Sequence, residues 1–118
     1  MRRLLPVLAV LCAAPVDAAP AEEPVVERLK HCLAREVRQA GLRRLAPERF
    51  ALRAQLACLP QKRDLARARA ATLVAAGFRE APDLFGAVEG VLAEHEREAA
   101  ATYARRFGRD RVAGAQMR

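Results

Sequence analysis

Cys32 and Cys58 stand at equal distance from residue 45, which falls between Gly41 and Pro47. Glycine there reads as a helix stop and proline as a helix start, so the segment is a turn. Two antiparallel helices folded about that turn place residues equidistant from it side by side. The hairpin itself therefore brings the two thiols together. Closing the loop between them stabilises a fold by about 3–4 kcal/mol in the chain-entropy account, a large share of a small domain's total. The bond also requires an oxidising compartment.

The amino terminus predicts such a compartment. Arg2 and Arg3 form a positive start, Leu4 to Ala14 is an apolar run broken only by Pro6, and small residues follow. Val16-Asp17-Ala18 carries small side chains at both positions a signal peptidase reads, so cleavage after Ala18 is expected, with Ala21 the second choice. The apolar run is about half the roughly 20 residues of a spanning helix, which favours a secretory leader over a membrane anchor. Leu11 before Cys12 lacks the small side chain of a lipidation signal. The predicted organisation is thus a signal peptide over 1–18, a helical bundle over 19–107 and a basic, mobile tail over 108–118. Removing the leader leaves Cys32 and Cys58 as the only thiols. The Ala- and Arg-rich, Lys-poor composition with such a leader suggests a bacterial protein of the periplasm or the cell exterior.

The remaining chain reads as all-α, a small up-and-down bundle of about four helices. No stretch alternates with the strand period. The first helix is expected from Pro24 to Ala40, with Val25, Leu29, Cys32, Leu33, Val37 and Ala40 on one apolar arc. The second spans Pro47 to about Leu59. It is apolar almost all round, with Phe50, Ala51, Ala54, Ala57 and Cys58 on one side and Leu52, Leu56 and Leu59 on another, which predicts a central position with the Ala-rich side close to the first helix. Pro60 should end or kink it. A third helix, Gln61 to Ala76, presents Ala66, Ala70, Leu73 and Val74 and stops near Gly77. The fourth starts at Pro82-Asp83, tracks the helical period from Leu84 and Phe85 to Tyr103, and ends at Gly108.

Composition excludes several chemistries. The chain has no Ser, hence no serine nucleophile, and no Asn, hence no N-glycosylation site. There is no C-x-x-C or H-x-x-x-H spacing, and adjacent His31 and Cys32 diverge by about 100° on a helix, which argues against a metal site. No catalytic residue, cofactor or metal is assigned from the sequence.

Charge supplies the main functional expectation. Arg28 to Arg79 holds 13 basic and 3 acidic residues, whereas Glu80 to Glu98 holds 6 acidic and 1 basic. A charge run is usually a solvated face, partly neutralised here by the acidic fourth helix. The functional alternative is a surface for an anionic envelope component or an acidic protein, built from Arg43, Arg44, Arg49, Arg53, Lys62, Arg63, Arg67 and Arg69. Export and the absence of a stacking platform argue against nucleic acid.

Two further features break the bundle pattern. Glu36 falls within the apolar arc of the first helix and His95 within the stripe of the fourth, so a buried Glu36–His95 pair is conceivable. That pair would be the centre of an alternative function, a small ligand-binding or acid/base enzyme bundle. Opposite the stripe, Gly86, Gly90 and Ala93 form a row of small residues whose weak helix propensity a close neighbour would offset. A helix of the same chain or a second copy, giving a homodimer, could supply it. A third function class, a periplasmic chaperone-like or inhibitor module with an exposed apolar groove, rests on that row alone.

Overall fold

The computed structural model describes residues 21–116, with side chains as far as Gly108. The expected leader, its cleavage site and Cys12 lie outside the described residues. Four helices and no strand are present among them: α1 (Glu22–Leu42), α2 (Pro47–Leu56), α3 (Leu59–Ala75) and α4 (Ala81–Gln116).

Helix α1 buries Val25, Leu29, Cys32, Leu33, Val37 and Ala40, the arc expected from its spacing. Glu22 and Glu23 lie in its first turn, where the unpaired backbone N–H groups favour negative charge. Its end differs from expectation. Gly41 is helical, and the left-handed residue is Arg44 (φ 54°). The Arg44 N–H donates to the Gly41 carbonyl at 3.1 Å and the Leu45 N–H to the Ala40 carbonyl at 3.2 Å, a Schellman closure with arginine where glycine is usual. Gly41 has another job. A Cβ built there would overlap the ring of Phe107 on α4, so glycine is what lets α4 approach this closely. Gly41→Ala should therefore cost about 1–3 kcal/mol in urea unfolding, outweighing the helix propensity alanine adds. In a Phe107→Ala background, the same substitution should be neutral or stabilising.

Helix α2 ends at Leu56, earlier than expected, and Pro60 lies in the first turn of α3. Proline offers no N–H to the carbonyl four residues back and its ring clashes there, so the helix cannot run through Leu56 to Pro60. In the first turn of a new helix the missing N–H is harmless. Between the two helices Ala57 is extended and Cys58 left-handed (φ 61°). Segments two and three are separate helices.

Contacts place α2 and α3 end to end in one column. Phe50 stacks on Tyr103 and Lys62 pairs with Glu96, so both helices run antiparallel to α4. Arg69 at Glu22 and Cys58 at Cys32 set α3 antiparallel to α1. Tyr103 at Ala40 then sets α4 parallel to α1. The bundle is up, down, up, with the middle column broken once. It departs from the expected chain of antiparallel neighbours.

The core joins Val25, Leu29, Leu33, Val37, Ala40, Phe50, Ala54, Leu65, Ala99 and Tyr103. Tyr103 is fully buried, and its hydroxyl donates to the Leu45 carbonyl at 2.6 Å, with the Ala40 carbonyl at 3.2 Å. The loop after α1 is thereby tied to α4.

Three expectations need correction. Helix α2 is not central: Phe50 and Ala54 are buried, whereas Leu52 and Leu56 face solvent, as does Leu59 at the start of α3. The buried face of α3 is Lys62, Leu65 and Ala68, rotated away from Ala66, Ala70, Leu73 and Val74. Helix α4 does not stop at Gly108 but continues to Gln116. By contrast, Gly77 (φ 102°) closes α3 as expected. Its N–H donates to the Val74 carbonyl and that of Phe78 to the Leu73 carbonyl, both at 3.0 Å.

Candidate functional site

The break in the middle column gathers most of the polar chemistry. The Cys32–Cys58 disulfide ties it to α1, as the hairpin geometry predicts, at a sequence separation of 26 and with 6.0 Å between the Cα atoms. One turn later Lys62 reaches back. Its Nζ donates to the carbonyls of Ala54 at 2.6 Å and Gln55 at 3.0 Å, and lies 2.9 Å from the Glu96 carboxylate. The last carbonyls of α2 have no intrahelical partner, and an ammonium group there meets both their hydrogen-bonding need and their negative partial charge. Lys62 is nearly fully buried. It is a structural cap and no part of an exposed basic surface.

Two more of the eight expected surface cations are occupied internally. Arg53 donates from Nε to the Glu36 carboxylate at 2.8 Å, joining α2 to α1. Arg69 Nε lies 2.8 Å from the Glu22 carboxylate without the alignment of a hydrogen bond, so this contact is chiefly electrostatic. Arg43, Arg44, Arg49, Arg63 and Arg67 remain exposed and without an ion pair to any described residue. All five come from the turn after α1, the outer face of α2 and the outer face of α3.

The structure does not bring Glu36 and His95 together. The pair fails because Glu36 turns toward α2, where Arg53 holds it. His95 instead lines a groove of about 220 Å³ between α1 and α4, together with Lys30, Leu33, Ala34, Val37, Glu98, Ala99 and Thr102. The groove is smaller than the roughly 300–1,000 Å³ typical of small-molecule sites. Among the described residues no group of three or more His, Cys, Asp or Glu is arranged to hold a metal ion.

The glycines of the row Gly86, Gly90 and Ala93 meet no other described helix, since a Cβ at either would find open space.

Sequence reasoning missed Lys62 and Tyr103 as polar anchors. One signal was present: the chain has a single tyrosine, placed on an apolar stripe, and a buried phenol needs an acceptor. For Lys62 no local signal existed, because its partners come from α2 and α4.

No protein-family model matches the chain, and no curated protein or solved structure matches it.

Proposed function

We propose that this chain is an exported, non-catalytic binding protein, and that its exposed arginines take an anionic envelope component or an acidic protein. The observation that carries this is the division among the eight cations. Three are used to hold helices together, while Arg43, Arg44, Arg49, Arg63 and Arg67 face solvent with no ion pair among the described residues. Arginine keeps its charge at any physiological pH and presents a planar fork suited to phosphate and carboxylate. The disulfide accords with an oxidising compartment.

The test is retention on immobilised polyphosphate. Replacing all five arginines by Gln should weaken binding at low salt by at least about tenfold, and added salt should erase the difference. The control replaces Arg28, Arg35, Arg38, Arg79 and Arg97, which are exposed elsewhere on the molecule. Both variants carry the same net charge. Equal losses in the two would mean that total charge alone governs binding, and the assignment of this surface would fail.

A further inference from the structure

We infer that the anionic partner is the surface of a lipid bilayer, contacted by the outer face of α2 and the first turns of α3. This rests on the basic surface proposed above. What it adds is an account of the leucines. Leu52, Leu56 and Leu59 are 62%, 76% and 49% exposed. At 100° per residue, Leu52, Leu56 and Arg49 lie within an arc of about 60° on α2, opposite the buried Phe50 and Ala54. On α3 the same rule sets Leu59, Arg63 and Arg67 within about 80°, away from the buried Lys62, Leu65 and Ala68. Leu42, itself 86% exposed, is followed directly by Arg43 and Arg44.

Apolar and cationic side chains thus share the outer arc of each helix, and between Leu42 and Arg67 five exposed arginines stand against two exposed carboxylates, Glu48 and Asp64. A soluble polyanion would engage the arginines and leave the leucines in water. An anionic bilayer engages both. Headgroup phosphates meet the guanidinium forks, while the leucines enter the acyl boundary to a depth of about 5–10 Å. Arginine's aliphatic stem suits that boundary, since the stem lies along apolar surface while the charge stays at the headgroups. No described helix is long and apolar enough to cross a membrane, so the contact is peripheral.

The chain contains no tryptophan, so a single indole can report on the site. In the full chain, Leu56→Trp should shift its emission to the blue on adding phosphatidylglycerol vesicles and be quenched by acyl-brominated lipid. Phosphatidylcholine vesicles should leave it unchanged. Val74→Trp, exposed at the far end of α3, should not be quenched at the same lipid concentration. Adding Arg49→Gln, Arg63→Gln and Arg67→Gln to Leu56→Trp should raise the lipid concentration at half-binding by about 100-fold. Equal quenching at Val74→Trp, or equal response to both lipids, would overturn the inference. If Leu56→Trp ignores phosphatidylglycerol while polyphosphate retention still depends on the five arginines, the bilayer is the wrong partner and the basic surface stands. If neither probe responds, both proposals fall.

Discussion

Reduction of the Cys32–Cys58 bond should lower the midpoint of thermal unfolding by roughly 15–25 °C. The sequence separation is 26 residues, and releasing a loop of that size returns about 3–4 kcal/mol of chain entropy to the unfolded state. For a domain near 100 residues each kcal/mol corresponds to about 4–8 °C. Position adds to the effect here. The bond fastens the joint between α2 and α3, where Cys58 holds a left-handed backbone that no glycine relieves. Far-ultraviolet circular dichroism of the Cys32→Ala, Cys58→Ala double variant checks this without reductant. A shift below about 5 °C would mean that packing alone holds the joint.

Lys62→Met should destabilise the fold by about 3 kcal/mol. The ammonium group sits with 6% of its side chain exposed, against a Glu96 that keeps 21%. Removing it strands the Ala54 and Gln55 carbonyls and leaves the carboxylate uncompensated, which in buried pairs costs about 3–5 kcal/mol. The partial exposure of Glu96 places the value at the low end. The thermodynamic cycle separates the two losses. Lys62→Met with Glu96→Leu should be more stable than Lys62→Met alone, because no unpaired charge remains, yet less stable than the parent, because the carbonyls still lack a donor. If the double variant equals the parent in urea unfolding, the cap contributes nothing. Lys62→Arg does not rescue by default, since the guanidinium is larger than the space an ammonium fills.

Helix α1 shows how far periodicity reaches. A 21-residue helix with one apolar arc has a single way to face a core, and all six expected arc residues are buried. The disulfide was legible for a related reason: a hairpin of known turn position fixes which residues are opposite. Helix α2 shows the limit. With apolar residues on two sides, spacing alone does not say which side meets α4, and the side chosen was Phe50 and Ala54 because Phe50 stacks on Tyr103 at 4.4 Å. Gly41 and Gly108 show a second limit. A glycine near a helix end resembles a stop whether it supplies a left-handed turn or simply room for a neighbour, and the neighbour of Gly41 is 66 residues further along the chain.

The candidate site divides in the same manner. Its cations were visible as a charge run, but their separation into structural and free groups was not. Arg53, Lys62 and Arg69 differ from Arg49, Arg63 and Arg67 only in which way each helix faces, and each finds a carboxylate on a different helix.

Local patterns in the chain were sufficient for its all-helical character, the burial of α1, the closure at Gly77 and the partner of Cys32. These depend on backbone preferences and on residues near one another in sequence. The broken middle column, the parallel setting of α1 and α4, the internal use of three cations and the exposure of the α2 leucines were decided by the tertiary structure. Each follows from which helix occupies the space beside another, and the burial free energy that decides it belongs to pairs of helices, not to any one segment.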